Sequence, residues 1–110
     1  DDITYQHYSQ RGQFYHNLFD SKTKFMRPKS SEYKWLEDFD PMVISNRYTE
    51  ANAYQYTPSV FQDIEGLIRL MGGDKKFEQW LDNNFTTEMD TTMLLVPDVS
   101  GLIGQYAHGN

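Results

Sequence analysis

Cysteine is absent from this sequence, which removes disulfide staples and thiolate zinc sites and leaves the redox compartment open. Basic clusters are missing too. Ten lysines and arginines face sixteen acidic residues, a formal net charge of −6. Such a chain has no cationic patch to displace counterions from nucleic acid or to hold an anionic membrane surface. No apolar run approaches the ~20 residues of a membrane span, and no signal-peptide pattern precedes Asp1. A Gly-x-Ser-x-Gly nucleophile turn and a phosphate-binding glycine loop are both lacking. His7 and His16 fall nine residues apart in one expected helix, so they do not share a face as a metal pair would. Carboxylate chemistry is what remains, and among carboxylate mechanisms glycoside hydrolysis suits an acidic, tyrosine-rich protein best.

Aromatic residues make up 15% of the 110 positions, and eight of them are tyrosines. Tyrosine couples apolar area to a polar handle, as wet-edged cores and binding surfaces require. The whole chain, 1–110, reads as one domain or a piece of one, with no internal boundary. The abrupt start on Asp1-Asp2, and the stop directly after an apolar pattern, read as cuts in a longer protein.

The pattern is expected to be mostly α, as antiparallel helical hairpins with long loops. Tyr5, Tyr8, Gly12, Tyr15 and Phe19 fall on one face of a predicted helix over 4–19, with Thr4 as its cap. A turn at 20–23 and an extended segment at 25–29 follow. Arg27 in that segment is either a substrate clamp or a structural ion pair. Residues 30–47 read as a long loop anchored by Trp35, Phe39 and Pro41, and its acidic run, Glu37, Asp38 and Asp40, lacks calcium-loop spacing. Thr57-Pro58 predicts the start of a helix with Phe61, Ile64, Leu67, Ile68 and Met71 inward, stopped by Gly72-Gly73. Asp74 then caps a second helix carrying Phe77, Trp80, Leu81 and Phe85, which closes a hairpin. After a loop and the apolar run Leu94-Leu95-Val96, Asp98 is expected to cap a last helix with Leu102, Ile103 and Tyr106. Asp63-Ile64-Glu65-Gly66-Leu67-Ile68 is echoed by Asp98-Val99-Ser100-Gly101-Leu102-Ile103, which fits a ring of repeated hairpins with its loops gathered at one end.

One stretch concentrates site chemistry. Tyr48-Thr49-Glu50-Ala51-Asn52-Ala53-Tyr54-Gln55-Tyr56 sets one carboxylate among amides and rings, with no basic residue from Glu50 to Asp63. Amides bond sugar hydroxyls, ring faces pack on C–H surfaces, and a carboxyl held protonated acts as an acid. Composition alone favours a plainer description, a polar loop with half-buried tyrosines leading into a helix.

Four segments resemble the catalytic domain of glycoside hydrolase family 92, the calcium-dependent exo-acting α-mannosidases. They are Tyr15-His16-Asn17-Leu18-Phe19-Asp20, Phe25-Met26-Arg27-Pro28, Glu50-Ala51-Asn52-Ala53-Tyr54-Gln55-Tyr56, and the eleven residues from Ser100 to Asn110, which read Ser-Gly-Leu-Ile-Gly-Gln-Tyr-Ala-His-Gly-Asn. The resemblance implies part of an (α/α)6 toroid and an inverting removal of terminal α-linked mannose, with α-1,2 the leading linkage. It implies that Glu50 is the general acid, that Asn52, Gln55, Tyr56 and His108 meet the substrate, and that Asn110 borders a calcium site. The base and most calcium ligands would come from other parts of the enzyme. This piece alone would then be inactive and exposed to self-association, and whether it binds calcium is open. The implied partners are a mannose-containing glycan and the rest of the same catalytic domain. The implied location is exported, bacterial, in the periplasm or at the cell surface. Ala51 and Tyr54 stand where the family pattern has glycine and tryptophan, and Lys24 where its turn often has glycine. A non-catalytic helical carbohydrate-binding or interaction module is the alternative from another class.

Overall fold

A computed structural model describes residues 1–90, 92 and 97–109. Helix α1 (Asp2–Gly12) is capped by Asp1, whose carboxylate accepts from the Ile3 and Thr4 amides at 2.8 and 3.1 Å. It buries no residue, and Tyr5 and Tyr8 stand 75% and 62% exposed. The expected inward stripe fails because the helix stops at Gly12. The chain tightens into a 3-10 helix (Phe14–Leu18) and then extends, so Tyr15 and Phe19 leave the geometry of Tyr5 and Tyr8.

Strands β1 (Phe19–Asp20) and β2 (Phe25–Met26) pair antiparallel, Phe19 opposite Met26. Their turn needs a left-handed residue, and Lys24 supplies it at φ 65°. That explains the glycine usual at this point of the family pattern. Strands β3 (Lys29–Ser31) and β4 (Lys34–Trp35) form a second hairpin inside the expected long loop. Arg27 is structural: it pairs with buried Asp20 at 2.9 Å, donates to the Leu36 carbonyl, and lies over the Phe39 ring.

Helix α2 (Ala53–Tyr56) is one turn. The Thr57 hydroxyl closes it by donating to the Ala53 carbonyl at 2.6 Å while accepting from the Met26 amide at 3.0 Å. Thr57 therefore ends a helix where a helix start was expected. Helix α3 (Ile64–Met71) begins later, capped by Asp63, and leaves Phe61 83% exposed. Gly72, at φ 104°, stops it as expected, and α4 (Asp74–Thr86) follows at once. Leu67, Met71 and Trp80 face the core. Phe25, Tyr54 and Trp80 form an aromatic triangle with centroids 4.7–5.8 Å apart, joining the first hairpin, α2 and α4.

The C-terminal region corrects the expectation of a mostly α chain of helical hairpins. Strands β5 (Leu102–Ile103) and β6 (Tyr106–Ala107) form an antiparallel hairpin where a last helix was expected. Gly101 and Gly104, at φ 64° and 58°, adopt left-handed conformations that break a helix. The echo of 63–68 in 98–103 is thus one of sequence only, a helix in one place and a turn into a strand in the other. Among the described residues, α1 and a 3-10 turn lead into two hairpins, then three helices, then a third hairpin, and the described chain is not a helical toroid. Leu94-Leu95-Val96 lies outside the described residues.

Candidate active site

Glu50 sits in an exposed bend at φ 55°, a left-handed conformation that costs a residue with a Cβ. Both sides of it are fixed. On the entry side, buried Tyr48 donates its hydroxyl to the Met26 carbonyl, and Tyr56 donates to the Thr49 carbonyl at 3.1 Å. Burial pushes the Tyr48 phenol up to about 12, against the pull of Arg47 and Arg27, so it remains a donor. On the exit side, Ala51, Asn52 and Ala53 are wholly buried.

Asn52 makes a capping box with Gln55: its Oδ1 accepts from the Gln55 amide, and Gln55 Oε1 accepts from the Asn52 amide, each at 3.1 Å. Its Nδ2 donates to the Met42 carbonyl and to Gln105 Oε1 at 3.1 and 2.9 Å. Gln55 Nε2 donates to the Gln105 carbonyl at 2.9 Å. As folded, Asn52 has no surface to offer a sugar, and protein partners engage both ends of the Gln55 amide. These two side chains hold the site together from below.

A groove of about 560 Å³ lies between α2 and the β5–β6 hairpin and gathers Gln55, Tyr56, Phe61, Tyr106 and His108. His108 is exposed, and its Nδ1 shares a 2.9 Å hydrogen bond with the Tyr106 hydroxyl. Glu50 lines a separate concavity of about 310 Å³ with Ile44, Ser45, Asn46, Tyr48 and Thr49. Tyr56 connects the two regions, its ring in the groove and its hydroxyl on the residue before Glu50. Asn110 lies outside the described residues. Among the described residues, no three His, Cys, Asp or Glu side chains converge as a metal site would require.

Sequence reasoning singled out neither Gln105 nor Asp20 as an organising residue. Gln105 is fully buried. Its Nε2 donates to the Thr87 and Glu88 carbonyls at 3.4 and 3.0 Å, and its amide to the Asn84 carbonyl at 2.7 Å, which satisfies the end of α4. Its place inside the eleven-residue motif was the available signal.

The family model for the glycosyl hydrolase family 92 catalytic domain matches residues 1–110. Two solved structures of the family GH92 α-mannosidase BT3965 from Bacteroides thetaiotaomicron resemble the chain. One is 38% identical with a TM-score of 0.71, covering 87% of this chain and 13% of that one. The other, in complex with mannoimidazole, is 33% identical with a TM-score of 0.72, covering 87% of this chain and 14% of that one. No curated protein matches. The chain thus spans about an eighth of the length of these relatives, and the buried contact of Asn52 with Gln105 joins two of its family-like segments. The match runs the full length of the chain: it belongs to glycoside hydrolase family 92.

Proposed function

We propose that this chain is part of a glycoside hydrolase that removes terminal α-linked mannose from a glycan, with Glu50 as the general acid. The observation that carries the reading is the bond between Asn52 and Gln105, 2.9 Å long and spanning 53 positions. It ties the segment that carries Glu50 to the hairpin that carries His108, both family-like. Glu50 then protonates the departing glycosidic oxygen. Tyr56 and His108 are the side chains exposed to meet the sugar or its aglycone, and Asn52 and Gln55 support them.

An inverting reaction needs a base on the opposite face of the sugar, roughly 6.5–9.5 Å from the acid, with a water between. We assign that base, and the calcium ligands that the resemblance implies, to other parts of the enzyme, since this chain spans only 13% of its relative. The chain alone is then inactive. Its exposed Ile3, Tyr5, Phe61 and Ile64 fit contact with the rest of the same domain. An exported location belongs to this proposal and rests on the resemblance.

The test is Glu50→Gln in the full-length enzyme with calcium present. Hydrolysis of an α-1,2-linked mannobiose should fall by about 10²–10⁴-fold. An aryl mannoside whose leaving group departs without a proton should be largely spared. Unchanged release of mannose from the disaccharide would remove the acid assignment and leave that role to another residue.

A further inference from the structure

Glu50 holds a backbone conformation that a glutamate disfavours, φ 55°. Such a conformation persists only where its surroundings over-determine it, and on the exit side Asn52 and Gln55 both reach one residue, Gln105. Asn52, two residues on, is fully buried, and its Nδ2 finds Gln105 Oε1 at 2.9 Å. Gln55, the other member of the capping box, reaches the Gln105 carbonyl at 2.9 Å. Gln105 is itself immobilised, because its Nε2 is spent on the Thr87 and Glu88 carbonyls just past α4, at 3.4 and 3.0 Å, and its backbone amide on the Asn84 carbonyl within α4, at 2.7 Å.

The hairpin that carries Gln105 cannot slide. Gly104, at φ 58°, sits so close to α4 that a Cβ there would lie 2.5 Å from the Phe85 carbonyl. The amide of Gln105 thus relays the position of a thirteen-residue helix, α4, to the loop that carries the acid. Only an amide meets both demands. Its oxygen accepts from Asn52 while its nitrogen donates to the two carbonyls that follow α4. A carboxylate would face those carbonyls with negative charge, and an apolar side chain would orphan a buried Asn52 donor.

We propose that Gln105 is a positioning residue for Glu50: it holds the acid loop in register against α4, so that the carboxyl meets the leaving oxygen. This rests on Glu50 being the acid. It predicts a selective defect, because a displaced acid harms only reactions that need a proton on the leaving group.

The experiment uses the full-length, calcium-loaded enzyme carrying Gln105→Glu, beside Glu50→Gln. Each is assayed on an α-1,2-mannobiose and on an aryl mannoside with a good leaving group. Gln105→Glu keeps the side chain's shape and its acceptor but loses the donor when ionised. The expected result is a kcat loss of about 10- to 100-fold on the disaccharide, a much smaller loss on the aryl mannoside, and partial recovery as pH falls and the new carboxyl regains a proton to donate. Equal losses on both substrates, or none on either, overturn the proposal. If Gln105→Glu does not fold, Asn52→Ser, which keeps an N-cap oxygen but no longer reaches Gln105, is read the same way. Failure of both to fold overturns the proposal as well, because the bond then serves the fold and not the acid. If Glu50→Gln itself shows no selective loss, the acid reading fails first, and the two failures are told apart.

Discussion

The Tyr15 hydroxyl donates to the Asp63 carboxylate at 2.7 Å, pinning the first family-like segment to the N-terminus of α3. Asp63 also caps the helix by accepting from the Gly66 amide at 3.0 Å. A Cβ at Gly66 would run into both the carboxylate and the phenol, so glycine leaves this pair undisturbed. Burial, and then the bond to Asp63, push Tyr15 up to about 12. A raised folded pKa contributes stability that is complete below the ordinary tyrosine value near 10 and is lost as pH rises through about 12. Tyr15→Phe should therefore lower the unfolding midpoint at neutral pH, and the gap to wild type should close between about 10 and 12. Denaturant melts across that range, with the ultraviolet absorbance of the phenolates, check this. A gap that stays constant through pH 12 would contradict it.

The ion pair of Asp20 with Arg27 has side chains only 5% and 17% exposed. Burial works to raise the Asp20 pKa, but the Lys22 amide and the Arg27 guanidinium outweigh it and hold the carboxyl below its ordinary value. Its contribution is complete above that ordinary value, 3.8, and is lost as pH falls through the lowered one. Asp20→Ala should cost about 3 kcal/mol by leaving a buried guanidinium unpaired. Arg27→Lys should not act as a silent change, since an ammonium cannot reproduce both the pair and the two-nitrogen contact with the Leu36 carbonyl. Urea unfolding of the two variants measures both effects.

Two glycines should answer alanine with opposite signs. At Gly104 the backbone is left-handed and the new Cβ would meet the Phe85 carbonyl carbon and oxygen at 2.5 Å. Gly104→Ala should cost more than about 2 kcal/mol and detach the hairpin that carries His108. At Gly12 the nearest atom to a new Cβ is Gln62 Cγ at 3.9 Å, and the residue closes α1. Gly12→Ala should gain about 0.5 kcal/mol. Thermal melts of the pair provide the comparison.

These positions also show what was legible in the sequence. Helices α3 and α4 could be read because their apolar spacing, the Gly72-Gly73 stop and an adjacent acidic residue agree with one another. The Glu50 loop could be read as a site by its mixture of groups, and as an acid only through family resemblance. The β5–β6 hairpin was missed because Leu102, Ile103 and Tyr106 also fit a helical stripe. The competing signal was Gly104-Gln105 between two apolar pairs, a two-residue turn whose first residue needs positive φ. The tyrosine stripe of α1 was misread for another reason. Periodicity reports which residues share a face, and nothing in it says whether that face is covered. Thr57-Pro58 is a third kind of ambiguity, since a threonine hydroxyl serves a helix end as readily as a start. Here its partners, Ala53 and Met26, lie on the upstream side.

Glu50 itself gives the sharpest separation of stability from activity. At φ 55° every side chain beyond glycine pays for its Cβ. Glu50→Ala and Glu50→Gly both delete the carboxyl, and whatever it touches, so their difference isolates the backbone term. At an ordinary site alanine is the more stable of the two, because glycine has more freedom to lose on folding. Here the order should invert, with Glu50→Gly more stable than Glu50→Ala by about 1 kcal/mol. Both should lose hydrolysis of an unactivated mannoside in the full-length enzyme to the same extent, because the proton donor is gone in each. Equilibrium unfolding and a mannose-release assay on the same two variants test the two halves independently. If alanine is the more stable, the left-handed conformation is not strained. If the glycine variant keeps activity, the acid is another residue.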